Sequence, residues 1–251
     1  VPTGLKSTDN QGGLTMKKLR QSGGYRTLAS FQTTTIIYDA TVRFCERFLD
    51  ARSRTVDQMI QAARSGRQNI AEGSRASATS TESELKLTNV ARSSLEELLL
   101  DFEDYLRQKR LKLWDRDCDE SNQVRLKATG HPELVSLTDS DRWDLYSHWL
   151  ENESPEVRAN AIICLIHQAN FLLDQQVRSL ERDFIQNGGY REQLHVARLE
   201  HRAEQLGDDS PKCPACGGLM SIRTARSGKR SGSQFWGCAK YPTCTGTVPI
   251  D

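Results

Sequence analysis

Cys213-Pro-Ala-Cys216-Gly-Gly, followed after a gap by Phe235-Trp236-Gly-Cys238-Ala-Lys240-Tyr241-Pro-Thr-Cys244, decides how the chain's C-terminal end folds. Its four cysteines fall as C-x2-C, then twenty-one residues, then C-x5-C. Tetrahedral zinc needs four thiolates at one point, and two short cysteine turns joined by a hairpin supply them. The hairpin strands are expected at 219–223 and 234–236, with the closing turn over 227–231. Two disulfides are the alternative. They need an oxidising compartment, and nothing in the sequence suggests export. One structural Zn2+ per chain is therefore expected, held by Cys213, Cys216, Cys238 and Cys244 and supplying folding energy that so small a core lacks.

The 251 residues suffice for one larger domain and one small one. A mean hydropathy of −0.61 and 27% charged residues suit a soluble, mostly helical protein. The net charge of +1 hides a segregation: +4 over 1–110 (17 basic, 13 acidic), −6 over 111–207 (11 and 17) and +3 over 208–251 (6 and 3). Between Lys212 and Ile250 stand six basic residues and no acidic one. Four thiolates with one Zn2+ leave that module at about +4, the balance of a polyanion binder and most often of a nucleic-acid binder. The longest aliphatic run, Ala161-Ile-Ile-Cys-Leu-Ile166, is six residues, against about 20 for a membrane span. No membrane partner and a cytoplasmic location are expected. The scattered Cys45, Cys118 and Cys164 read as reduced thiols.

Working back from the cysteines, residues 208–251 form the ribbon, and 207–211 link it to what precedes. Residues 154–207 hold a long helix opened by Ser154-Pro155-Glu156, with Ser as cap and Pro in the first turn. That helix ends near Asn187-Gly188-Gly189, and an additional helix with a seam of Val196, Leu199, Ala203 and Leu206 follows over 190–206. The apolar run from Ala161 to Ile166 is expected to be buried on more than one side. Residues 111–153 read as a linker or insert, broken at Gly130-His131-Pro132, with a short helix over 141–151. Residues 23–110 hold three helices, since Leu28, Phe31, Thr35, Tyr38, Val42, Cys45 and Leu49 step by three and four. In the second, Val56, Met59/Ile60, Ala63, Arg67 and Ile70 lie on one face, with Gly73 as its stop. In the third, Leu85, Thr88, Ala91, Leu95, Leu98, Phe102 and Tyr105 form the seam, and Thr81-Glu-Ser-Glu84 reads as a capping box. Residues 1–22 read as a flexible arm. The fold class is mainly α: an antiparallel up-down four-helix bundle with an extra helical region, plus a small four-cysteine zinc ribbon.

The second helix also carries a resemblance. Ala62-Ala63-x-Ser65-x-x-x-Asn69-Ile70-Ala71-Glu72-Gly73, with Tyr25-Arg26-x-Leu28-x-x-Phe31-Gln32 and Ser93-x-Leu95-x-Glu97-Leu98, resembles the bacterial four-helix-bundle family first described in intervening sequences of ribosomal RNA genes. It resembles most the subgroup with a four-helix-bundle suffix region. That superfamily is similar to the accessory protein of diversity-generating retroelements, a ring-shaped homopentamer that binds a reverse transcriptase and nucleic acid. The resemblance implies a homo-oligomer, a pentamer among the options, and a reverse transcriptase or other polymerase as a partner. Arg64, Gly66 and Arg67 stand where the family has apolar residues or proline, so a more basic and looser surface is expected there. Arg64, Arg67 and Arg75 read as a phosphate-binding strip, a solvated face or partners in intersubunit ion pairs. Asn69 reads as a structural cross-link and Glu72 as the partner of Arg75 or Arg26.

The ribbon separately resembles those appended to type IA DNA topoisomerases. The matching residues are Cys213-Pro-x-Cys216-Gly-Gly, Arg223, Gly228-Lys229, Gly232, Phe235-Trp236-Gly237-Cys238, Tyr241-Pro242-x-Cys244 and Gly246-Thr247. The topoisomerase catalytic core is absent. Along the hairpin Arg223, Arg226, Lys229, Arg230 and Lys240 can neutralise phosphates, while Phe235, Trp236 and Tyr241 offer rings for base stacking. One of Phe235 and Trp236 is expected to pack the ribbon core instead. The combination favours single-stranded DNA. No catalytic constellation is present among the histidines, serines and carboxylates, so no enzyme activity is expected. The leading expectation is a non-catalytic oligomeric scaffold presenting zinc ribbons to nucleic acid. The alternative is an assembly adaptor for a reverse transcriptase or other mobile-element or defence enzyme, with protein binding as the main role.

Overall fold

A computed structural model describes residues 24–77, 80–129, 136–188, 192, 198, 211–225 and 231–250. The chain divides into two compact units, one spanning Lys18–Asn187 and the other containing the C-terminal sheet. The expected N-terminal arm and the Gly130-His131-Pro132 breaker lie outside the described residues. So do the helix over 190–206, except Glu192 and Arg198, and the linker, except Pro211.

In the first unit a 3-10 turn at Gly24–Thr27 leads into α1 (Ala29–Phe48), α2 (Arg54–Ala76) and α3 (Thr81–Lys109). Three short helices follow, α4 (Asp119–Thr129), α5 (Asp139–Asp144) and α6 (Ser147–Leu150), before the long α7 (Pro155–Asn187). The protein is mainly helical. Each of α1 and α3 packs against both α2 and α7. Cross-contacts fix the directions: Arg67 of α2 stands over the Tyr38 ring at 4.7 Å, and Ser65 bonds Ser94 of α3 at 2.9 Å. Arg92 of α3 pairs with Asp174 of α7 at 2.9 Å, and Ser30 of α1 reaches Gln176 at 3.3 Å. Arg43 and Arg47, further along α1, pair with Glu151 and Glu153 just ahead of the first turn of α7. The shared core holds Ile37, Phe44, Leu95, Leu98, Phe102, Leu165, Ile166 and Leu173, all essentially inaccessible. Each contributes about 1.5–3 kcal/mol by leaving water.

The second helix does not stop at Gly73. It continues to Ala76, and Gly73 is buried where α2 approaches α3: a Cβ there would lie 3.4 Å from the Glu84 carbonyl and from Leu87. The residue lies within the helix rather than ending it. Nor is the segment around Gly66 loosely packed, since a Cβ at Gly66 would stand 2.9 Å from the buried Leu95 side chain. The cap of α3 sits one residue before the expected box, with Ser80 accepting from the Ser83 amide at 3.1 Å while Thr81 is already helical and Glu84 is buried.

Where a linker with one short helix is expected, three helices form. α4 packs on α7 with Val124 and Ser121 buried. The expected 141–151 helix is divided into α5 and α6, and α5 opens on a capping box between Thr138 and Asp141. Asn160, 1% exposed, ties the chain leaving α3 to α7 by accepting from the Trp114 amide at 2.8 Å and donating to the Lys112 carbonyl at 2.8 Å. The apolar run from Ala161 to Ile166 is buried throughout because α4 and α6 cover the side of α7 that α1 and α3 leave. No described helix is long and apolar enough to cross a membrane.

Candidate metal centre and nucleic-acid interface

The second unit is a three-stranded antiparallel sheet in the order β1 (Met220–Thr224), β2 (Gln234–Cys238) and β3 (Thr247–Pro249). The third strand was not legible in the cysteine spacing. Cys213 and Cys216 sit on a turn closed by the Gly217 amide donating to the Cys213 carbonyl at 2.8 Å, with Gly217 at φ +66°. Cys238 ends β2, and Cys244 follows on a turn whose Lys240 amide donates to Cys238 Sγ at 3.4 Å. The two knuckles converge. All four Sγ atoms lie within 4.8 Å of one another, with Cys213–Cys244 at 3.7 Å and Cys216–Cys238 at 3.6 Å.

That geometry fits zinc. Four sulfurs at about 2.3 Å from one ion stand about 3.8 Å apart in a tetrahedron. Crowded thiols are otherwise unfavourable. Although the Lys240 amide favours its thiolate, burial and the three neighbouring thiols push Cys238 up to about 12. Burial also opposes ionisation of Cys213, but the amides of Ala215 and Cys216, with the neighbouring thiols, bring it down to about 7. A divalent cation resolves the conflict by taking all four as thiolates. Cys213, Cys216, Cys238 and Cys244 form a zinc-binding site, and among the described residues no other group of metal-ligating side chains converges.

The sheet register sorts the remaining residues by face. Ile222 pairs with Trp236 and Trp236 with Val248, whereas Arg223 pairs with Phe235 and Phe235 with Pro249. Directly paired residues share a face. Trp236 and Val248 pack with Met220, Cys213 and Cys238 into the ribbon's small core. The opposite face carries Arg223 and Phe235. Gly237, two residues after Phe235 and so on the same face, leaves room for the Arg223 stem, whose Cδ would lie 2.8 Å from a Cβ there. The Arg223 guanidinium donates to the Cys238 carbonyl at 3.3 Å and stands 5.3 Å from the centre of the Tyr241 ring, which is 59% exposed. Arg223, Phe235 and Tyr241 thus come together, with Lys240 exposed nearby. Arg226, Lys229 and Arg230 lie outside the described residues.

These features now identify the module. Residues 210–251 match the family described as topoisomerase DNA binding C4 zinc finger. The chain carries a topoisomerase-type C4 zinc ribbon. Over 39 residues it is 49% identical to DNA topoisomerase 1 of Archaeoglobus fulgidus, covering 16% of this chain and 5% of that protein. The chain therefore matches about 5% of the length of that curated relative. No solved structure matches.

In the helical unit the singled-out residues do not gather into a site. Arg64 is exposed, whereas Arg67 is half-buried over Tyr38 beside Asp39, whose carboxyl burial holds above its ordinary range despite Arg67 and Arg43. Asn69 donates to the carbonyl and hydroxyl of Ser65, one turn back, at 2.9 and 3.1 Å, fixing the serine that reaches Ser94. No ion pair joins Glu72 to Arg75 or Arg26. Both guanidinium groups face Tyr25 instead, at 5.8 and 5.4 Å from its ring centre.

Proposed function

We propose that the chain is a non-catalytic nucleic-acid-binding protein that engages single-stranded DNA through the Arg223–Phe235–Tyr241 face of its zinc ribbon. The observation that supports this reading is the arrangement around Arg223: Trp236 packs in the core, Phe235 pairs with Arg223 on the other face, and the Arg223 guanidinium stands beside the Tyr241 ring. Bases can lie flat on such rings only when they are unstacked from a complementary strand, which favours single strands over duplex. Arg223 supplies a cation beside the ring, and the basic balance of the ribbon supplies the longer-range attraction to phosphates. The match to a family described by DNA binding supports the same partner.

The helical unit is the scaffold in this reading. Its resemblance to ring-forming four-helix-bundle proteins favours a homo-oligomer, and ribbons tethered on one assembly gain avidity of order 10²–10⁴ when several engage one strand. Phe235→Ala and Tyr241→Ala are each expected to weaken binding of a single-stranded oligonucleotide by about 1–3 kcal/mol, or about 5- to 150-fold, without loss of zinc. Fluorescence anisotropy with parallel zinc quantitation measures both. Wild-type affinity in the double variant, or in a chain lacking residues 208–251, would sink the reading. Preference for duplex would limit the ribbon to phosphate contacts.

A further inference from the structure

A cysteine stands at the head of α4, an eleven-residue helix. The Cys118 carbonyl accepts from the Asn122 amide at 3.0 Å, and its sulfur accepts from the Ser121 amide at 3.5 Å. Ser, Thr, Asp and Asn are the side chains that usually fill such a cap, and a thiol is a weak acceptor. Capping gives little reason for a sulfur here. Cys118 and Ser121 are three residues apart and share one side of the first turn. The Cys118 thiol donates to the Ser121 hydroxyl at 3.4 Å.

A second thiol meets the same hydroxyl. Cys164 of α7, 7% exposed, borders one cavity with Ser121 and Arg125, and the Ser121 side chain also hydrogen-bonds the Cys164 thiol. Burial pushes the Cys164 thiol up. Ser121 and Arg125 draw it down and Cys118 raises it again, so the two sulfurs lie close enough to feel one another. Ser121, 2% exposed, touches both where α4 packs on α7. Both thiols are free, Cys118 partly exposed and Cys164 buried. Such a pair divides the work of a redox couple: an accessible sulfur meets the oxidant, and a sheltered one meets only the first sulfur.

We propose that Cys118 and Cys164 are a peroxide-responsive pair whose disulfide staples the first turn of α4 to α7. The Cys118 sulfur attacks one oxygen of a hydroperoxide, the O–O bond breaks, and the departing oxygen takes up the thiol proton. Cys118 is left as a sulfenic acid. The Cys164 sulfur then attacks the Cys118 sulfur, the S–O bond breaks, and the hydroxyl leaves as water with the Cys164 proton. Two electrons pass from the two thiols to the peroxide. Among the described residues of α4, Val124 is the buried apolar one, so a covalent tie changes the attachment of this helix more than it would that of α1 or α3. The ribbon takes no part, because its four sulfurs are committed to zinc.

The test uses full-length, zinc-loaded protein treated with hydrogen peroxide, then alkylated, digested without reduction and mapped by mass spectrometry. A peptide pair joined through Cys118 and Cys164 is expected, reversed by dithiothreitol and formed with zinc retained. The thermal midpoint of the helical circular dichroism signal is expected to rise with it by about 5 °C or more. Cys164→Ala is expected to lack the bond and to accumulate a Cys118 sulfenic acid that dimedone traps. Cys118→Ser, which keeps a capping side chain, is expected to show neither. The proposal is overturned by a Cys118 that stays reduced in the wild-type protein, by bonds to ribbon cysteines or between chains, by zinc loss that precedes the bond, or by a bond that leaves the midpoint unchanged.

Discussion

Gly246 sits where the space for a Cβ is taken by the sulfur of Cys213, and its carbonyl accepts from the Cys238 amide at 2.9 Å. A methyl group there must displace either a zinc ligand or the strand that delivers another. Gly246→Ala is therefore expected to lower zinc affinity by about 10- to 100-fold, the range seen when supporting contacts around metal ligands are altered. Competition against a chromogenic chelator measures it, and unchanged affinity would show that the knuckle adjusts freely. Single residues were legible unevenly. The four ligands followed from spacing alone. The choice between Phe235 and Trp236 did not, because two adjacent strand residues always point to opposite faces and only the register with Met220 and Val248 says which face holds the metal.

At the scale of the element, two glycines of α2 face α3 in different circumstances. At Gly66 a Cβ would press on Leu95, which is wholly buried, so alanine adds helix propensity of about 1 kcal/mol but overpacks at a cost of about 1–3 kcal/mol. At Gly73 the nearest atoms stand at 3.4 Å, ordinary contact, and the propensity gain is not opposed. Thermal melts are expected to show Gly66→Ala destabilised and Gly73→Ala stabilised. The opposite order would mean that the helices separate readily at Gly66. Periodicity located α1, α2 and α3 because each buries a continuous stripe, whereas α7 was located by its Ser154-Pro155-Glu156 start and its glycine stop. Periodicity did not locate α4, whose described apolar residues are Val124, buried, and Leu126, 63% exposed. A helix held by so few contacts has no readable stripe. The Thr138–Asp141 box, by contrast, was readable and would have placed the start of α5.

Across the whole molecule, two units depend on different forces. The helical unit is held by a large apolar core, built on side chains such as Phe44, Phe102, Leu95 and Leu165. Among the described residues the ribbon's core holds Cys213, Met220 and Cys238 as buried members, with Trp236, Cys244 and Val248 partly buried around them. A core of that size does not offset the chain's conformational entropy, so the metal supplies the difference. Zinc removal by a strong chelator is expected to make 211–250 susceptible to proteolysis while the helical circular dichroism signal persists. Acid acts in the same direction. Zinc is held by four thiolates, and once it leaves, the opened ribbon carries four thiols that are mostly protonated below about pH 8.5, so each ion lost is replaced by more than one proton. Binding that consumes thiolates and releases protons weakens as pH falls. The zinc dissociation constant, followed from pH 8 to pH 5, is therefore expected to rise by more than about tenfold for each unit of pH lost. A helical signal that melts together with zinc release would instead mean that the two units fold as one.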